Sequence, residues 1–167
     1  MTELKPISRD AIPHALEKVE RYRLLNEPAE AESICRDVLR ADPGNARALV
    51  MLLLTLTDQF GSGGGRGAGF NEAREIVGRL EGEYERAYYE GVVFERRGKA
   101  LLRGLAPGSE AGSHGWFQEA MRAYERAEAL RPAGNDDAIL RWNACARILR
   151  DRKLGPRLED EVEQPIE

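Results

Sequence analysis

Few residues in this 167-residue chain are of types and spacings that could do chemistry. The run Gly61-Ser62-Gly63-Gly64-Gly65-Arg66-Gly67-Ala68-Gly69 resembles a phosphate-cradling loop, and Gly63-x-Gly65-x-x-Ala68 meets a loose dinucleotide fingerprint. That fingerprint works only between a strand and a helix, and no strand pattern precedes it. Gly-Lys-Ser and Gly-Lys-Thr are both absent, so a Walker-type loop is excluded. The two histidines, His14 and His114, stand far apart, and neither has a second nitrogen or sulfur ligand nearby. His14 follows Pro13 and is expected at the surface. Cys35 and Cys145 form neither a metal-ligand pair nor a disulfide framework, and both fall in apolar helical patterns as small buried hydrophobes. No nucleophile–base pair is signalled, no cofactor is called for, and no metal site is expected. The chain reads as non-catalytic.

The elements that would carry any surface are all helical. Apolar residues recur at three- and four-residue steps in seven segments, and none alternates as a strand does. The first runs from about Arg9 to Leu25, with Pro13 in its opening turn. The second opens at Pro28 and stops before Asp42-Pro43-Gly44. Asn45 caps the third, whose Ala48–Leu54 run is apolar nearly all round and should be central. A fourth is expected from Asn71 to about Leu80, a fifth from about Tyr84 to Arg103, and a sixth from Trp116 to Leu130. Asn135 caps the seventh, whose apolar side carries Ile139, Trp142, Cys145, Ala146 and Leu149. Two glycine-rich insertions, 61–69 and 104–115, read as irregular.

Composition bounds the function classes. Hydrophobic residues make up 42% of the chain, enough for a core. The net charge of −4 is concentrated at the end, where residues 157–167 hold one basic and five acidic groups. The rest is neutral and has no basic footprint for nucleic acid. The start lacks a signal-peptide core, and the longest apolar run, Ala48–Leu56, is too short for a bilayer. These features predict a soluble, cytoplasmic protein with no membrane partner. The organisation expected is one helical repeat domain over 1–151 and an acidic, disordered tail over 152–167.

Internal spacing points further. Ala31 to Pro43 and Ala120 to Pro132 both span twelve residues, and Pro43 to Leu56 and Pro132 to Cys145 both span thirteen. Tyr22, Ala31 and Pro43, then Gly91, Phe94, Ala120, Tyr124, Ala127 and Pro132, follow the aromatic, small and helix-ending pattern of a repeat. On these residues the chain resembles the tetratricopeptide repeat (TPR) family, with a degenerate middle repeat marked by Leu56 and Ala73. The resemblance implies an all-α, right-handed superhelix of antiparallel helix pairs, about three repeats plus a C-terminal capping helix. It also places both insertions between the two helices of a repeat, on one edge of the stack.

The same resemblance implies a concave groove that takes a protein or peptide partner. Its lining would comprise Val50, Met51, Leu54, Tyr88, Tyr89, Val92 and Arg96, with Leu16, Glu17 and Glu20 toward one end and Arg147 toward the other. The family's carboxylate-clamping subset uses lysine and asparagine where this chain has Leu16, Glu20 and Met51, so that clamp is not expected. The function expected is a non-catalytic protein–protein interaction module, an adaptor or scaffold. A small chaperone for a secreted or assembly-prone client, and a self-assembling homo-oligomeric subunit, are the alternatives.

Overall fold

A computed structural model describes residues 2–61, 68–104 and 107–156 of the chain. Among them it holds seven α-helices and one short 3-10 turn, and no strand. The helices are α1 (Ile12–Leu24), α2 (Pro28–Ala41), α3 (Ala46–Asp58), α4 (Ala68–Arg79), α5 (Glu83–Arg103), α6 (Ser109–Leu130) and α7 (Asp137–Asp151). They fall into two compact units, Met1–Glu81 and Gly82–Glu167.

Within the first unit α1 packs on α2 and α3, α2 on α3, and α3 on α4. Local chemistry sets the boundaries. A 3-10 turn, Arg9–Ala11, leads into α1, and Pro13 stands in its first turn. Asn26 ends it in the left-handed region, with φ 59°. Pro28 opens α2, where its missing amide leaves no helical bond unmade. The Asn45 side chain accepts a hydrogen bond from the Ala48 amide at 2.9 Å and starts α3 as expected. The core of α1–α3 is built on Ile12, Leu16, Val38 and Ala48, flanked by Ile7, Ala15, Ile34, Leu39 and Ala41. Two charged clasps join alternate helices of this unit. Arg23 on α1 donates to both carboxylate oxygens of Asp58 at 2.7 and 3.3 Å, 35 residues away. Arg36 on α2 makes a two-pronged bond to Glu72 on α4 at 2.9 and 3.0 Å, 36 residues away.

Ala31 and Ala120 are fully buried, whereas Ala29 is exposed. Enlarging Ala31 to leucine is expected to cost about 1–3 kcal/mol by overpacking. Ala29→Leu should stay within about 0.5 kcal/mol, as surface changes do. Urea titration of both variants checks this, and equal costs would refute the assigned contact register.

The second unit is a long helical hairpin, α5 with α6, and α7 packed on α6. Here the expectation of an irregular 104–115 insertion is overturned. Helix α6 starts at Ser109, seven residues before Trp116, after Gly108 turns the chain at φ 77°. Gly112 and Gly115 weaken the helical signal locally, but Ser113 is buried and its hydroxyl donates to the Glu110 carbonyl at 2.8 Å. A β-carbon at Gly112 would sit 3.6 Å from the Leu101 side chain of α5. Packing along α5 thus carries the helix through residues whose propensity opposes it. Most of this insertion therefore lengthens the α5–α6 hairpin instead of forming a loop. His114 is therefore a helical residue, not a loop residue. The first insertion is shorter than expected too, since α4 begins at Ala68; its residues 62–67 lie outside the described set. The tail's residues 157–167 lie outside it as well. At α7 the cap position is Asp136, while the Asn135 side chain accepts a bond from the Asp137 amide at 3.0 Å.

Candidate interaction surface

The expected lining residues divide between the units. Val50, Met51 and Leu54 form a half-buried row on α3 of the first unit, beside the fully buried Leu53 and Thr55. Tyr88, Tyr89 and Arg96 are half-buried on α5 of the second. Two residues are corrected. Val92 is 1% exposed and belongs to the core of its unit. Leu16 is 3% exposed and packs in the α1–α3 core, so it lines no surface. For Leu16 the reason is that α1 packs on both α2 and α3, so its apolar face is wider than one stripe, and periodicity alone does not mark where that face ends. Glu17 and Glu20 are exposed, and Glu20 accepts a bond from Arg47 at 2.6 Å.

On α5 the residues Tyr84, Tyr88, Gly91 and Glu95 recur at helical spacing, so they share one side. Tyr84 stacks on Tyr88 at 5.8 Å between ring centroids. Tyr89 meets Tyr88 edge-on at 5.1 Å, and Tyr124 of α6 lies 5.9 Å from Tyr88. Aromatic pairs at such separations hold each other rigid and add stabilisation beyond area burial. Gly91 makes room for the buried ring of Tyr124, because a β-carbon there would fall 2.5 Å from it.

Beneath the tyrosines is a charged group that helical periodicity alone does not single out. Glu95 is buried, with its side chain 1% exposed. It accepts a hydrogen bond from the Tyr124 hydroxyl at 2.6 Å, pairs with Lys99 one turn along α5, and pairs with Arg141 of α7 at 3.2 Å. Burial pushes its carboxyl up, but the bonds from Lys99 and Tyr124 and the charges of Lys99 and Arg141 outweigh that and hold it below the usual carboxylate value. Burial and the adjacent Glu95 charge push the Tyr124 phenol well above its usual range. Arg141 also lies close enough to Tyr88 to interact with it electrostatically, which links the aromatic cluster to α7. The signal was present in the sequence as a carboxylate on the apolar side of α5 with lysine four residues on. Arg141 has no such mark, since only the approach of α7 gives it a partner. Geometrically this is a rigid aromatic surface, backed by a satisfied buried ion network.

Both cysteines are free and fully buried, as their apolar settings implied. Burial is the largest influence on each thiol and raises it to about 12. Native protein should therefore resist a thiol reagent at mildly alkaline pH, and both thiols should react at once in denaturant. Reaction of either thiol at the rate of a free peptide cysteine would contradict this burial. His14 is exposed, with Glu17 3.9 Å away. Among the described residues no group of three His, Cys, Asp or Glu could hold a metal ion, and no helix is long and apolar enough to cross a membrane. Comparison with family models, curated proteins and solved structures finds no match.

Proposed function

We propose that the chain is a non-catalytic interaction module built of TPR-like helix pairs, which binds a protein or peptide partner on its tyrosine-bearing surface. The observation that carries this reading is the half-buried cluster Tyr84, Tyr88 and Tyr89, braced by Tyr124 and Arg141. Rigid aromatic groups offer large contact area at little entropic cost and dominate binding energies at protein interfaces. The repeat reading is supported by the α1–α3 and α2–α4 clasps, which join like helices at nearly one interval. It is supported also by each helix packing on the next within its unit. The half-buried row Val50, Met51 and Leu54 offers a second apolar surface on the first unit, and Arg96 keeps only a supporting place on α5.

Quantitative affinity capture from the source cell, followed by titration of the recovered partner, tests the reading. Tyr89→Ala is expected to weaken binding by about 1–2 kcal/mol, roughly tenfold, without unfolding the chain. Leu24→Ala, at a fully solvated position, is the control and should leave affinity unchanged. Binding that survives Tyr88→Ala and Tyr89→Ala but fails on deletion of 62–68 would move the site to the first insertion. A stable homo-oligomer in light scattering, with no partner captured, would favour the self-assembling subunit instead.

A further inference from the structure

The rings of Tyr84, Tyr88 and Tyr89 stand too close together to admit a ligand between them. Tyr88 has Tyr84 at 5.8 Å and Tyr89 at 5.1 Å between centroids, with Tyr124 at 5.9 Å. At such separations each ring fills the contact distance of the next, which leaves no cage for a rounded ammonium group. A ligand meets the rings from outside, over the surface that each half-buried tyrosine keeps in water. Tyr84 lies nearly parallel to Tyr88, at 14°, and Tyr89 stands at 82° to it.

The edge of the cluster is acidic. Glu85 comes three residues before Tyr88 and four before Tyr89, so it is their neighbour on the surface of α5. Its carboxylate folds back over Gly82, where a β-carbon would fall 1.7 Å from a Glu85 oxygen. Asp137 acts on Tyr84 and Tyr89 from the first turn of α7. Burial is the largest influence raising both phenols, and the charges of Glu85 and Asp137 raise them further. Both carboxylates are exposed, and the helix end beside each offsets only about half a charge. Of the cations on this side, Arg141 is paired with Glu95 and Arg131 with Asp136.

An aromatic face attracts a cation, and carboxylates at its edge add to that attraction. Guanidinium is flat, stacks on aromatic faces and is more weakly hydrated than ammonium. We propose that the partner presents an arginine to this surface, its guanidinium stacked on the exposed tyrosine faces and its charge set against Glu85 and Asp137. The inference rests on the tyrosine surface being the binding site, and adds the chemistry of what binds there.

Fluorescence anisotropy on the full chain with three short labelled peptides tests it. The peptides alternate glycine with arginine, with lysine, or with citrulline, which keeps arginine's shape without its charge. The arginine peptide should bind at least about threefold more tightly than the lysine peptide, as a stacked guanidinium would. The citrulline peptide should bind weakest. Tyr84→Leu/Tyr89→Leu keeps apolar bulk, removes both rings, and should bring the arginine peptide down to the lysine level. Asp137→Asn leaves the rings untouched and should weaken arginine binding at least about threefold. Glu159→Gln/Glu161→Gln, in the acidic end of the sequence, controls for unspecific attraction and should leave the arginine preference intact. Equal binding of the arginine and lysine peptides by the unmodified chain overturns the proposal. So does a preference that survives loss of both rings, or an affinity unchanged by Asp137→Asn. Failure of the arginine peptide to bind, with a captured partner that still depends on Tyr89, overturns this inference alone. A partner indifferent to Tyr89→Ala overturns the tyrosine surface as the binding site, and this inference with it.

Discussion

Replacing Lys99 and Arg141 together with methionine is expected to destabilise the protein by about 3 kcal/mol near neutral pH, the lower end of the range for breaking a buried ion pair. Glu95 is buried and its charge is neutralised by these two side chains, with Tyr124 as the remaining hydrogen-bond donor. Lys99 and Arg141 are themselves 35% and 31% exposed, so water screens part of what they contribute. Each single substitution should cost less than half of the pair's loss, because the other cation still serves the carboxylate. The sign of the pH dependence follows from the lowered Glu95 carboxyl. A carboxyl held lower in the folded than in the unfolded chain stabilises the fold above the unfolded value of about 4.5, and that stabilisation fades as pH falls through the folded value. The gap between the native chain and the double variant should therefore narrow on acidification from about pH 7 to about pH 4. Urea unfolding at both values measures it. An unchanged gap would mean that the loss is packing and not charge.

Gly91→Ala is expected to destabilise by about 1–3 kcal/mol, against the usual gain of up to about 1 kcal/mol for replacing a helical glycine. The new β-carbon would lie 2.5 and 2.7 Å from two ring carbons of Tyr124. That ring is fully buried and held through its hydroxyl by Glu95, so it moves aside only at the expense of the 2.6 Å bond. Gly78→Ala is the matched contrast. Gly78 lies in α4, is exposed, and a β-carbon there meets nothing within 4 Å. That variant should gain about 0.5–1 kcal/mol. Thermal unfolding should show opposite shifts for the two, and the same sign for both would contradict the close approach of α5 and α6.

The helices themselves were legible in the sequence because their causes are local. Pro28 opening α2, Asp42-Pro43 closing it, Asn45 capping α3 and the three- and four-residue apolar rhythm each act within a turn or two. Helix content without a strand among the described residues, and two buried thiols, accord with those patterns. Beyond the reach of the sequence lay the question of which helix meets which. The residues from Ser109 to Gly115 become helical because α5 supplies contacts that outweigh glycine's entropy. Val92 and Leu16 leave the expected lining for the core of their units, Leu16 because α1 packs on both α2 and α3. Glu95, a residue whose type argues for solvent, is buried because Lys99, Tyr124 and Arg141 converge on it from three helices, and Arg141 is 46 residues away. Local propensity acts over a few residues, while burial is decided by contacts between distant ones, and only the packed structure brings those together.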